Sequence, residues 1–263
     1  MADFEAIEFS KHNGVATIRL NRPEAANGIN LTMAKELLAV SIECDDDPEI
    51  RAVLLTGNGK VFCAGGDVKS FSPSQGNPSS LLKELTAIFH AAISRFARMD
   101  APLIVAVNGA AAGAGFSLAV AGDIVLSAES ANYTMAYTMV GLCPDGSSSY
   151  FLPRLIGMRK TQELMITNRT LSAQEALDWG AINRVVANDL LLSEAEALAE
   201  KLANGPTKSF GAIKKLLQAS FSNGLETQMQ LESTSIAELS KTEDGKEGIQ
   251  AFSARRAPEF KGR

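Results

Sequence analysis

A single carboxylate, Asp145, stands in Gly-Leu-Cys-Pro-Asp-Gly-Ser-Ser-Ser-Tyr over residues 141–150, where an apolar segment gives way to the amphipathic run from Tyr150 to Gly157. A lone acid at such a turn has two uses. It can cap the helix that Gly146 to Ser149 would open, since aspartate accepts hydrogen bonds from first-turn N–H groups. It can also act as a base or a nucleophile on a substrate brought alongside. The turn by itself leaves both open.

Two glycine-rich loops could supply the rest of a site. Phe62-Cys63-Ala64-Gly65-Gly66-Asp67 follows a strand; small residues there let a ligand approach the backbone, and free N–H groups bind an oxyanion or a phosphate. The same residues also make an ordinary turn. The second loop, from Asn108 to Phe116, follows a buried strand and leads into a helix whose first N–H groups lack partners and carry partial positive charge. It fails as a dinucleotide fingerprint, because Leu118 stands where Gly113-Ala114-Gly115 would need a third small residue. Close helix–strand packing is the other use of such residues. One donor from each loop, aimed at a common point, makes an oxyanion hole in which each is worth ~3–4 kcal/mol of transition-state stabilisation.

The elements around these residues alternate. Residues 6–9 and 15–20 read as strands about a His12-Asn13-Gly14 turn, and Asn30 precedes a helix that ends near Asp45-Asp46-Asp47-Pro48. Residues 52–57, 102–107 and 124–127 are short continuous apolar runs, as in parallel strands buried on both faces. Residues 57–80 read mainly as loop and 81–99 as helix. From about Glu163 the pattern is almost wholly helical: 164–167, 173–179, 190–203, 206–221, 225–239 and 245–256, with a short strand near 182–186. This is an α/β core followed by a helical lobe from about residue 200. Phe116, Met135, Trp179, Met165 and the other helical methionines read as core packing.

Composition excludes several classes. With 263 residues, 46% of them hydrophobic, the chain can bury a core without metal or disulfides; a net charge of −5 and no basic cluster disfavour nucleic acid. Cys44, Cys63 and Cys143 form no zinc-ligand pattern and fit a reducing compartment. No run is long enough for a membrane span, Met1–Glu5 lacks an apolar signal core, and Phe260–Arg263 is no peroxisomal address. The expected location is cytoplasmic.

Ordered motifs along nearly the whole chain resemble the crotonase (enoyl-CoA hydratase/isomerase) superfamily. They are Leu20-Asn21-Arg22-Pro23, residues 62–67, Ala106-Val107-Asn108-Gly109 through Gly115, Leu171-Ser172-Ala173-Gln174-Glu175-Ala176, and residues 248–252 with Arg255, Arg256 and Phe260. The resemblance implies a ββα spiral core that binds acyl-CoA, residues 1–199, and a C-terminal helical region, residues 200–263, that builds a homotrimer or a dimer of trimers. It implies that the N–H groups of Ala64 and Ala114 hold a thioester oxygen, that Gly66, Asp67 and Val68 lie along adenine, and that Arg22 and Ala25 line the pantetheine and phosphate path. Coenzyme A is then part of the substrate, and no separate cofactor or metal is expected.

Hydratases of this family activate water with two glutamates, and this chain has Ser117 and Tyr137 at those positions. Neither is a base at neutral pH. Asp145 remains, at the position of the single acid of enoyl-CoA delta isomerases; residues 141–146 look especially like the isomerases of aromatic-ring epoxides in phenylacetate degradation. The expected reaction is a 1,3-shift of a double bond with Asp145 carrying the proton. Residues 141–186 also resemble the 4-chlorobenzoyl-CoA dehalogenases, in which an aspartate attacks an aryl carbon and a histidine activates water. His90 stands in the histidine's place; read from its neighbours alone it is a helical residue satisfied locally. Dehalogenation is therefore the alternative, with hydration behind it.

Overall fold

The computed structural model describes residues 4–71 and 77–263. β1 (Ile7–His12) and β2 (Val15–Leu20) form the expected antiparallel hairpin, with Asn13 and Gly14 at φ 49° and 79° in its turn. α1 (Leu31–Asp46) starts where Asn30 accepts the N–H of Met33. The chain then repeats two strands and a helix. β3 (Ala52–Gly57), β4 (Val61–Cys63) and α2 (Pro78–Arg98) make one turn of the spiral. β5 (Leu103–Val107), β6 (Ala110–Ala112) and α3 (Ala114–Val120) make the next. β7 (Ile124–Ala128) and β8 (Asn132–Thr134), followed by α4 (Ser148–Ile156) and α5 (Met158–Thr167), make a third.

The first strand of each turn joins one sheet and the second strand joins another. With β9 (Leu171–Ser172) and β10 (Arg184–Val186), the orders are β1-β2-β3-β5-β7-β10 and β4-β6-β8-β9; apart from the β1–β2 and β8–β9 pairs the strands are parallel. Every residue of β3 and β5 is buried, as their unbroken apolar runs demand. α2 buries Leu85, Phe89, Ile93 and Phe96, one face at helical spacing, and leaves His90 beside that face. The α/β class and the ββα spiral are thus present. The motif at residues 171–176 is a capping box: Ser172 and Glu175 satisfy each other's backbone N–H at the start of α6 (Ala173–Trp179).

α7 (Leu191–Ala203) packs on the large sheet, and α8 (Thr207–Ser220) is tied to it by Lys214, whose Nζ reaches Phe96 O (2.9 Å), Ala101 O (3.1 Å) and Asp123 Oδ2 (2.7 Å). α9 (Leu225–Leu239) buries none of its residues, and α10 (Glu243–Ser253) exposes Phe252.

Several local expectations change. Within 57–80 the structure has β4, a 3-10 turn over Val68–Phe71, and α2 beginning at Pro78 behind the cap of Asn77; residues 72–76 of that expected loop lie outside the described residues. The helix expected at 164–167 begins six residues earlier, at Met158. Met158 and Met229 are exposed, and Trp179 is half-buried beneath Lys160 and Arg169, whereas Met135 and Phe116 are core as expected. No helix among the described residues is long and apolar enough to cross a membrane.

Candidate active site

Asp145 lies in the irregular segment between a 3-10 turn over Tyr137–Val140 and α4. Its carboxylate does not cap that helix. The cap position is Ser147, with no side-chain bond, and the carboxylate turns back into the fold instead. Oδ1 accepts the phenolic hydrogen of Tyr137 at 2.6 Å, and Oδ2 lies 3.2 Å from His90 Nε2. Positive φ at Gly141 (72°), with Leu142 N–H donating to Tyr137 O at 3.0 Å, turns the chain between Tyr137 and Asp145; Ala136 (57°), Gly146 (61°) and Ser147 (72°) flank the pair. Burial, then the charge of Asp145, pushes the Tyr137 phenol far above its ordinary range, so it stays protonated and serves only as donor to that carboxylate.

Behind Tyr137 stands Ser117, fully buried in α3. Its Oγ is 3.1 Å from Tyr137 Oη and 3.3 Å from Gly113 O. The two residues at the hydratase glutamate positions are therefore not idle: together they carry a hydrogen-bond chain from the start of α3 to Asp145. Sequence reasoning missed this role, and it also missed Gly146. A Cβ on Gly146 would lie 2.9 Å from Ser117 Cβ and 3.0 Å from the Phe89 ring, so only glycine lets its N–H reach His90 Nε2, at 3.1 Å. His90 is thus not satisfied locally; its partners are Asp145 and Gly146, across the fold.

The two loops converge. Ala114 opens α3, where its N–H has no partner within the helix. A Cβ on Gly65 would stand 3.4 Å from Ala114 N, and one on Gly113 would lie 3.7 Å from Gly65 Cα and 3.9 Å from Tyr137 Cε2. The close-packing role of the small residues is also met: a Cβ on Gly115 would strike Cys63 O at 2.2 Å. Ala64 departs from the expectation of a free donor. Its N–H is given to Ala26 O at 3.0 Å, because Ala26 adopts a left-handed backbone (φ 49°) that turns its carbonyl toward the end of β4.

The remaining residues expected to meet coenzyme A form one ledge. Ile29 N–H donates to Gly65 O (2.7 Å) and Asp67 N–H to Ile29 O (2.9 Å), stitching residues 22–29 to 64–67. Arg22 pairs with Asp67 at 3.0 Å and donates to Gly28 O, so its guanidinium is already partnered. Ala25 ends a 3-10 turn beside Arg22, Gly66 packs under Phe71, and Val68 is exposed at the outer end. The structure groups Arg22, Ala25, Ala64, Gly66, Asp67 and Val68 on one side, and Tyr137, His90 and Asp145 on the other, with Gly113 and Ala114 between. No cluster of metal-ligand side chains occurs among the described residues.

Residues 10–263 match the family model for enoyl-CoA hydratase/isomerase. The chain belongs to the enoyl-CoA hydratase/isomerase family. It is 38% identical to 1,2-epoxyphenylacetyl-CoA isomerase of Escherichia coli (strain K12), over 95% of this chain and 96% of that one. It is 35% identical to 4-chlorobenzoyl coenzyme A dehalogenase-2 of an Arthrobacter species, over 82% of this chain and 78% of the relative. Among solved structures, an enoyl-CoA hydratase from Polaromonas sp. JS666 superposes with a TM-score of 0.92 at 33% identity, covering 97% of this chain and all of that one. As a member of this family, the chain is an acyl-CoA enzyme. The three relatives carry the names of three different reactions, so the choice among them falls to the site.

Proposed function

We propose that this enzyme is an enoyl-CoA isomerase, shifting a double bond from carbon 3 to carbon 2 by a 1,3-proton transfer. The observation that carries the reading is the single carboxylate, Asp145, held by Tyr137 where a hydratase would need a second acid. Hydration requires a base to activate water and an acid to protonate carbon, and a phenol locked as a donor supplies no base. One carboxylate suffices for the shift: it takes the C2 proton, the electron pair passes into the thioester as a dienolate, and the same oxygen returns the proton to C4. The Ala114 N–H, which has no partner within its helix, carries the developing charge. The name of the E. coli relative supports an isomerase and puts ring-derived thioesters of phenylacetate catabolism beside fatty enoyl chains as candidate substrates.

In the same reading, coenzyme A enters only with the substrate along the ledge from Arg22 to Val68, residues 1–199 form the acyl-CoA-binding core, and the enzyme works in the cytoplasm. Residues 200–263 assemble a homotrimer or a dimer of trimers; the exposed Leu225, Met229, Leu231 and Ile236 of α9 support an apolar partner surface.

A second reading has one observation in its favour. His90 Nε2 at 3.2 Å from Asp145 suits a nucleophilic aspartate with a water-activating histidine, the arrangement of dehalogenation. One experiment separates the readings: mass spectrometry of 3-enoyl-, epoxyphenylacetyl- and 4-chlorobenzoyl-CoA after incubation with the enzyme. Isomerisation leaves the mass of the 3-enoyl thioester unchanged while conjugating its double bond; hydration adds a water; dehalogenation exchanges chlorine for hydroxyl. Release of chloride without a double-bond shift would replace the first reading by the second.

A further inference from the structure

We propose that His90 keeps the travelling proton on Asp145 between its two transfers, so that the hydrogen removed from C2 is the one delivered to C4. The inference rests on the isomerase reading and adds a positioning residue to it. Two groups meet at His90 Nε2: the Gly146 N–H, 3.1 Å away, and Asp145 Oδ2, 3.2 Å away. An imidazole nitrogen offers either a hydrogen or a lone pair, never both. The Gly146 donor belongs to the backbone, in a left-handed conformation (φ 61°) wedged against Ser117 and Phe89, so its hydrogen points at the ring throughout. Nε2 is therefore the acceptor, and the ring hydrogen sits on Nδ1.

That tautomer acts on Asp145 in one direction. An ionised Oδ2 faces the Nε2 lone pair and is repelled; a protonated Oδ2 donates into the same lone pair, sharing it with Gly146. The ring thus offers Oδ2 an acceptor at the one stage of the shift when Asp145 carries the substrate's hydrogen. Tyr137 acts oppositely on the other oxygen, giving Oδ1 a permanent hydrogen bond at 2.6 Å. The two oxygens are thereby distinguished: Oδ1 is held, and Oδ2 moves the proton. His90 also stands between Oδ2 and a cleft of about 350 Å³ bounded by α2, α4 and α8, whose lining includes His90, Gly146 and Ser147 but not Asp145.

The test is a single-turnover isomerisation of an unlabelled 3-enoyl-CoA in D2O, read by mass spectrometry of the product. Wild type should return mostly protiated product. His90→Leu, similar in bulk but without an acceptor, should raise first-turnover deuterium about two- to tenfold, the partition change that one lost hydrogen bond produces. His90→Gln, whose amide oxygen accepts, should restore retention. A full solvent deuterium in each wild-type product, or a His90→Leu product indistinguishable from wild type, overturns the proposal. Absence of any double-bond shift in wild type overturns the isomerase reading itself. Should His90→Leu fail to fold, 15N spectra of the wild-type histidines, His12 and His90 alone, decide the matter. Hydrogen on Nδ1 of His90 is expected, and hydrogen on Nε2 overturns the proposal.

Discussion

Tyr137→Phe isolates the hydrogen bond on which the site turns. The ring and its packing stay. Ser117 Oγ keeps Gly113 O as an acceptor at 3.3 Å, so no buried donor is orphaned. What disappears is one O–H bond to an ionised carboxylate at 2.6 Å. Bonds of this charge-assisted kind are worth about 1.5–3 kcal/mol, more than neutral ones. That energy belongs mainly to the ionised ground state and weakens as Asp145 takes the proton, so its loss slows the shift by leaving the carboxylate free to turn from the reacting carbons, a misplacement on the order of 1 Å that costs about 10- to 100-fold in rate. In the proposed reaction Asp145 meets the reacting carbons and coenzyme A lies on the far ledge, so the loss should fall in kcat and not in KM. Formation of conjugated thioester, followed by its absorbance, gives the rate; thermal protection by acyl-CoA checks that binding survives. In an Asp145→Asn background the same change should add nothing, since its partner is no longer charged. A Tyr137→Phe enzyme within about twofold of wild-type kcat would refute the reasoning.

Two further predictions concern the frame. Lys214→Met removes the buried ammonium that ties α8 to Asp123 and to the carbonyls of Phe96 and Ala101; breaking one partner of such a pair costs about 3–5 kcal/mol, roughly 6–15 °C in a chain of this size, and calorimetry checks it. The Arg256 guanidinium, then the Glu259 N–H, holds the Glu247 carboxyl down at about 2. A depressed folded value means that this contribution is complete above the ordinary glutamate value near ~4.3 and fades as pH falls through about 2. Limited proteolysis of the tail after Ser253 should therefore accelerate between those limits in wild type, and Glu247→Gln should lack that pH-dependent component.

The parts of this molecule differ in how plainly their residues announce them. β3 and β5 are unbroken apolar runs, and α2 shows its buried face as Leu85, Phe89, Ile93 and Phe96, so their period alone declares them. The second sheet does not show: β4, β6, β8 and β9 have two or three residues each, too few for any period, and exist because each spiral turn lays one beside the last. Asp145 stood out because an acid between glycine-bearing turns has few structural uses. Its partners did not. His90 is 55 residues away in sequence, so nothing in its own helix indicates what it touches. Tyr137 reaches the carboxylate because the chain turns at Gly141 between them, and serine and tyrosine at emptied glutamate positions suggest loss of function before they suggest support of a neighbour. The Ala64–Ala26 bond was hidden more deeply still, because alanine seldom takes the left-handed conformation that makes it.

The central claim is that one carboxylate performs the chemistry. It is tested most directly by kcat for the 3-enoyl to 2-enoyl conversion in wild type and Asp145→Asn, with acyl-CoA binding measured on both. The account predicts a wild type that turns over, and a variant that binds the thioester equally well but loses the reaction, by at least the 10²- to 10⁴-fold of a missing general base. An Asp145→Asn enzyme that still shifts the double bond at the wild-type rate would contradict it.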